Sequence, residues 1–386
     1  MSDCIETKCI HLPREEERAL QGGAFGAVSF PIYQTAIFAH PELGRTTGYD
    51  YSRQTNPTRE YLEKIIANME GGAAAVGFST GMAAITALME IFERGDHLII
   101  EADLYGGSIR LFEKLEQKNG LQFTALDLSE DDIEPYINEH TRAVFIETPT
   151  NPVMHVIDIA ALAKVCKKHG LYLIVDNTFL SPYLQNPIKL GADIVVHSGT
   201  KYLGGHNDAL SGFLVAGTKE LGEQFHTIAK STGGVLSPFD SWLVLRGIKT
   251  ISVRMDRACE NASVIADWLK QQEIVTDVYY PGLPGHPGHE IMKKQAKAFG
   301  GMISFKLRTE QQAVQLLKEV ELIQFAESFG GPETLLTYPL TQTHADVSKE
   351  LREKNGLDGR LLRMSVGIEN VQDILADLEQ AFERLN

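Results

Sequence analysis

Cysteine is scarce. The 386-residue chain has four, Cys4, Cys9, Cys166 and Cys259, with no CxxC pair and nowhere near the density of a disulfide scaffold. That excludes a stapled fold and fits free thiols in a reducing compartment. No window approaches the roughly 18 uncharged apolar residues of a membrane helix. Residues 1–20 carry Asp3, Glu6, Lys8, Arg14, Glu15, Glu16, Glu17 and Arg18 where a secretory signal would have its apolar centre. A cytoplasmic location is therefore expected. Basic residues are outnumbered, 36 Lys and Arg against 51 Asp and Glu, for a formal charge of −15. This balance disfavours nucleic acid and anionic membrane as partners, because both need a positive surface. Any anionic ligand must be captured by a local pocket. Solenoid repeats and heptad runs are also missing.

What is present is a globular composition, 43% hydrophobic and 23% charged, in a chain long enough for two domains. Short β-rich apolar runs at 75–78, 98–101, 123–126, 143–147, 172–176, 194–197 and 212–216 alternate with helical patterns at 58–70, 82–92, 108–118 and 159–169. This alternation predicts an α/β fold with a mostly parallel central sheet and helices on both faces. A helical segment at 241–270 leads to a Gly/Pro-rich loop at 280–288 and a smaller α+β pattern to residue 386. The expected organisation is an N-terminal arm at 1–52, a ligand-binding domain at 53–240 and a C-terminal domain at 241–386.

Ligands of such sheets bind beyond the carboxyl ends of the strands, where this chain places Ser79, Tyr105, Asn151, Asp176, Ser198 and Lys201. Residues 196–206 read VHSGTKYLGGH. A lysine at the end of a buried strand loses its proton when desolvated, and only a neutral amine attacks an aldehyde to form a Schiff base. Ser198 and Thr200 are placed to bind a phosphate; a solvated surface lysine is the bland alternative. Asp176 ends an apolar strand, where a carboxylate can keep a pyridinium nitrogen protonated and make its ring an electron sink, or can merely cap a turn. In GFSTGMAAI, residues 77–85, a strand passes through a glycine turn into a helix, so that the N–H groups of Gly81 and Met82 offer a phosphate site. Tyr105 can stack on a flat cofactor, or simply pack. The Gly106–Gly107 pair beside it implies a close approach to the backbone, and Arg110 lies one turn on. Arg363, flanked by apolar residues in LLRMSV, needs a partner, either the α-carboxylate of an amino acid or an internal acid.

Two rival chemistries use some of the same residues. GFSTG also spells the GxSxG elbow of a hydrolase at Ser79, with Asp176 and then His206 or His344 downstream in triad order. That reading leaves Lys201 and Tyr105 without roles. His197, His206, Asp208 and His344 match no zinc spacing, so no metal is expected.

With these residues in hand, the chain resembles the Cys/Met-metabolism family of fold-type I pyridoxal 5′-phosphate enzymes. The resemblance runs in order through PIYQTAIF (31–38), YSRQTNPT (51–58), ETPTNP (147–152), DNTF (176–179), HSGTKYLGGHND (197–208), SFGGPETL (328–335) and RMSVGIE (363–369). It implies that Lys201 carries the cofactor, that Asp176 meets the ring nitrogen and that Tyr105 stacks on the ring. It assigns the phosphate to Gly81, Met82, Ser198 and Thr200, and the substrate carboxylate to Arg363, with Asn151 and Ser328 nearby; Arg110, on its own position one turn beyond Tyr105, either faces the same cleft as a substrate-binding residue or is an ordinary surface arginine. It also implies that Tyr51 and Arg53 reach the phosphate in a neighbouring subunit, which predicts a homo-oligomer, a tetramer built as a dimer of dimers with shared sites.

Within the family the resemblance leans toward bacterial cystathionine γ-synthases and O-acetylhomoserine thiolyases. Gly107 stands where methionine γ-lyases typically carry cysteine, and Thr337 stands where γ-lyases usually show a glutamate for the distal amino group of cystathionine. The expected reaction is γ-replacement on an activated homoserine ester by cysteine or sulfide, with cystathionine γ- or β-lyase as the alternative.

Overall fold

The computed structural model describes residues 3–21, 24–345, 352 and 356–385. Parts of the expected arm (1–2, 22–23) and C-terminal domain (346–351, 353–355, 386) lie outside the described residues. Seven strands form the large sheet: β1 (Ala74–Phe78), β2 (His97–Glu101), β3 (Gln122–Leu126), β4 (Thr141–Glu147), β5 (Tyr172–Asp176), β6 (Ile194–Ser198) and β7 (Gly212–Ala216). Their order is β1-β7-β6-β5-β4-β2-β3. Only β7 is antiparallel to its neighbours, so the sheet is mostly parallel, as expected.

The strands read as continuous apolar runs because both faces are covered. Along β4 and β5, Phe145 and Ile174 join one buried cluster while Val144, Ile146, Leu173 and Val175 join another on the opposite face. Covering helices begin and end where the sequence supplies caps. Helix Pro57–Glu70 starts with Asn56 accepting from the N–H of Thr58 and stops at Gly71 with φ 77°. Helix Ile159–His169 uses Asp158 and Gly170 in the same way.

The expected helical segment at 241–270 is two helices, Pro238–Ile248 and Ile251–Leu269. Neither Pro nor Gly stands at the break. Tertiary contacts make it: the Arg254 guanidinium binds the carbonyls of Gly247 and Tyr202 at 2.8 and 3.0 Å, and Thr250 Oγ1 donates to Gly247 O. Residue 240 lies inside the first of these helices.

The C-terminal part holds a second sheet of β8 (Val275–Tyr279), β9 (Met302–Leu307), β10 (Gln324–Phe325), β11 (Leu335–Thr337) and β12 (Leu361–Ser365), in the order β10-β11-β12-β9-β8. On β12, Leu362 and Met364 point into a core shared with helices Ile251–Leu269 and Val371–Glu383, so Arg363 between them faces the other way. The arm contains short helices Ile5–Lys8 and Arg14–Gln21, then an irregular stretch that leaves Phe25, Val28, Ile37 and Leu43 exposed. Among the described residues no helix is long and apolar enough to cross a membrane.

Candidate active site

Three parallel strands deliver the acids and hydroxyls. β4 ends at Glu147, β5 at Asp176 and β6 at Ser198, and Lys201 follows on the turn after β6. These ends open into a cleft of about 210 Å³. Ten of the residues singled out in the sequence line it: Gly81, Met82, Tyr105, Asn151, Asp176, Ser198, Thr200, Lys201, Ser328 and Arg363.

One end of the cleft is built for an anion. Thr80 caps helix Gly81–Met89 through the N–H of Ala83, which leaves the first N–H groups of the helix directed outward. A Cβ on Gly81 would lie 3.0 Å from Ser198 Cβ and 3.2 Å from its Oγ, so glycine is what brings the helix end against the serine. Thr200 completes this end, its Oγ1 accepting from the N–H of Ser211 at 3.1 Å.

The opposite wall holds the cations. Lys201 Nζ donates to Ser328 Oγ at 2.7 Å and lies 4.9 Å from the Phe329 ring centroid. Burial, helped by the charge of Arg363 and opposed by Glu327, pushes its ammonium down to about 8. A sizeable fraction of the amine is then neutral near physiological pH. Arg363 is 1% exposed. Its Nη1 donates to Asn151 Oδ1 at 2.7 Å and its Nη2 to the carbonyl of Ser328 at 3.2 Å, while its buried Nε has no hydrogen-bond partner among the described residues. Among the described residues no carboxylate is ion-paired with the guanidinium fork, which lines the cleft with donor capacity left. Ser328 has φ 104°, a conformation that costs a non-glycine residue energy and turns its hydroxyl toward the lysine while its carbonyl meets Arg363.

Between these walls lie two carboxyls on neighbouring strands, Glu147 and Asp176, paired in register. Burial, then the charge of Asp176, raises Glu147 well above the carboxylate range. Asp176 is also raised by burial, against hydrogen bonds from the Thr178 hydroxyl and N–H and the field of His197. Asp176 has the contacts that favour an anion, so the proton of the pair belongs to Glu147. Glu147 Oε2 in turn accepts the N–H of Tyr105 at 3.1 Å, fixing the start of helix Gly106–Asn119. A Cβ on Gly107 would fall 2.4 Å from the Tyr105 ring. The group that approaches this glycine pair is thus the tyrosine's own ring, which also lines the cleft.

Three expected residues stand apart from this chain's cleft. Arg110 is exposed on helix Gly106–Asn119, and its charge acts on Tyr105. Tyr51 and Arg53 lie on the arm, the guanidinium 5.4 Å over the tyrosine ring and donating to the carbonyl of Lys230. Thr337 is buried on β11, donating to Ala326 O at 2.8 Å, and does not line the cleft, whereas Glu327 does. Sequence reasoning missed Glu327 and Glu147, and the ETPTNP and ESFGG motifs that contain them were the available signal. The hydrolase triad is not assembled among the described residues. Ser79 is exposed, Asp176 binds Thr178, His206 Nδ1 pairs with Gly204 O and His344 Nε2 with Asn151 O.

A cradle that a Cβ on Gly81 would crowd, an amine close to neutrality, a buried carboxylate with no internal Lys or Arg and an underused guanidinium together fit pyridoxal 5′-phosphate bearing an amino acid. The family model for Cys/Met metabolism PLP-dependent enzymes matches residues 6–383. The chain belongs to this family. Its cofactor is pyridoxal 5′-phosphate, and it is a PLP-dependent trans-sulfuration enzyme acting on amino-acid substrates. It is 47% identical to a cystathionine γ-lyase of Bacillus subtilis, over 93% of this chain and 95% of that protein. It is 48% identical to a cystathionine γ-synthase of Haemophilus influenzae, over 93% and 94%. A crystal structure of cystathionine γ-synthase from Xanthomonas oryzae in complex with aminoacrylate and cysteine superimposes with a TM-score of 0.96 at 38% identity, covering 100% of this chain and 99% of that one.

Proposed function

We propose that the enzyme catalyses γ-replacement on an activated homoserine ester, with cysteine as the thiol. The observation that carries this reading is the placement of Glu327 in the same cleft as Lys201 and Arg363. Arg363 takes an α-carboxylate, and Glu327 offers a carboxylate to a second ammonium, as cysteine or cystathionine would bring. Bound on Lys201, the cofactor supplies the electron sink that weakens bonds at the substrate Cα. Once the substrate amine has taken its place, the Lys201 amine moves protons at Cα and Cβ. Asn151 Oδ1 orients Arg363, and the carbonyl of Ser328 holds the other side of the fork. Burial, then the charge of Glu327, raises the Tyr105 phenol, so its hydroxyl stays protonated and orients the incoming amine or thiol by hydrogen bonding, while Phe329 and Met82 line the same cleft.

The same Glu327 leaves room for a second reading, cystathionine cleavage, since its carboxylate would serve the distal ammonium of that substrate equally well. Incubation decides. Cystathionine formation from homoserine ester and cysteine, with slow release of 2-oxobutyrate or pyruvate from cystathionine, supports replacement; the reverse ratio makes the enzyme a lyase. Glu327→Gln should raise KM for cysteine or cystathionine roughly tenfold and leave sulfide use unchanged.

The remaining expectations belong to the same reading. Residues 53–240 hold the cofactor and 241–386 supply Arg363 and Glu327. The arm at 1–52 carries Tyr51, with Arg53 just beyond its end, to the phosphate of a second copy in a homotetramer. The chain works in the cytoplasm with its thiols free.

A further inference from the structure

Behind the cleft lies a buried polar knot that the proposed chemistry does not use. Glu70, the last residue of helix Pro57–Glu70, is fully buried, as are His197 and Asn177. Glu70 Oε1 accepts from His197 Nε2 at 2.6 Å and from Asn177 Nδ2 at 2.9 Å. Gln185 closes the knot, its Nε2 donating to Asn177 Oδ1 at 2.9 Å and to Thr148 O at 3.2 Å. Among the described residues the imidazole is the only basic side chain paired with this carboxylate.

The two groups held by Glu70 sit at the strand ends that present the site. Asn177 directly follows Asp176. His197 lies between Val196, the register partner of Asp176, and Ser198. Val196 and Ser198 both line the cleft, so His197 points to the opposite face of the sheet, where helix Pro57–Glu70 packs. Glu70 Oε2 and His197 Nδ1 make no hydrogen bond among the described residues. Apolar residues of the same volume would serve stability as well or better, which leaves the pair in want of another role.

We propose that Glu70 is a positioning residue for Asp176. By holding His197 and Asn177 at once, it locks the ends of β5 and β6 and keeps the imidazole behind Asp176, so that the carboxylate stays placed and polarised toward the cofactor's ring nitrogen. The proposal rests on the reading that Asp176 meets that nitrogen. Asp176 faces Glu147 from β4, with Asp103 and Arg363 acting on Glu147 in turn, Thr178 from its own turn, and His197 from β6. The field of His197 favours the charged form of Asp176 against burial.

The test compares the affinity of the cofactor-free protein for pyridoxal 5′-phosphate with that for its analogue carrying carbon in place of the ring nitrogen. The wild-type protein should prefer the natural cofactor. Glu70→Gln should shrink that preference about tenfold, the equivalent of one pK unit at Asp176, while affinity for the carbon analogue changes little. A merely structural role would weaken both ligands together and leave the preference intact, and that result overturns the proposal. Should Glu70→Gln fail to fold, His197→Gln, which removes the imidazole but keeps a donor for Glu70, reads the same preference with the same two outcomes. Asp176→Asn is the control. If it keeps the wild-type preference, the placement of Asp176 against the ring nitrogen is wrong; if it loses the preference while Glu70→Gln and His197→Gln do not, only the role of Glu70 falls.

Discussion

At the residue scale the site works by keeping charges buried but unequally satisfied. Lys201 is lowered to about 8 first by burial and then by Arg363. A group lowered in this way is charged below that pH and neutral above it. The rate at which cofactor-free protein captures pyridoxal 5′-phosphate should therefore rise with pH and level off above about 8, as stopped-flow absorbance would show. Arg363→Leu removes the second cause, so the midpoint should move upward. The same substitution leaves Asn151 without its partner and the substrate carboxylate without its receptor. The loss in kcat/KM should be about 3 kcal/mol, more than 100-fold, with KM carrying most of it. Asp103, pushed up to about 8 by burial, runs in the opposite sense for stability. A carboxyl raised above its unfolded value stabilises below the unfolded pKa and loses that contribution as pH rises through the folded one. Asp103→Asn should therefore flatten the fall in Tm between about pH 4 and 8, provided the contact with Thr150 Oγ1 survives.

At the scale of elements, close approaches between backbones set the cleft. Gly81→Ala puts a Cβ 3.0 Å from Ser198 Cβ, and should weaken cofactor binding about tenfold by moving the helix start off the phosphate. Gly212→Ala is harsher because its Cβ would meet the carbonyl oxygen of Thr80 at 2.1 Å, whereas Gly285 meets nothing within 4 Å and its alanine variant should leave Tm unchanged within about 1 °C. Thermal melts with and without cofactor separate the three. These elements were legible in the sequence because strands buried on both faces leave uninterrupted apolar runs, and because caps such as Asn56 and Gly71 mark helix ends. The split at Lys249–Thr250 was not, since a distant guanidinium makes it rather than a local breaker. Nor was the choice between Thr337 and Glu327. Which of two nearby residues faces the cleft depends on the positive φ of Ser328 and on β11 pairing with β12, and neither has a signature in residue type. Motif order located Lys201, Asp176 and Arg363, but the Glu147–Asp176 pair needed strand register.

At the scale of the whole molecule, one copy has a cleft that its own Tyr51 and Arg53 do not line, and an arm that exposes Phe25, Val28, Ile37 and Leu43. Such apolar exposure marks an interaction surface, and the shared site we propose would account for both features. Mixing inactive Lys201→Ala with inactive Arg53→Ala should restore activity. Random pairing makes about half the dimers hybrid, each with one intact site of two, so recovery should approach about a quarter of the wild-type value. No recovery would place Arg53 outside the partner's site. All of these arguments depend on the Lys201 ε-amine carrying the cofactor opposite Asp176. The most direct measurement is borohydride reduction of the protein saturated with pyridoxal 5′-phosphate, followed by peptide mass spectrometry. The account predicts one stoichiometric adduct per chain on Lys201, absent in Lys201→Ala; an unmodified Lys201, or an adduct confined to other lysines, would contradict it.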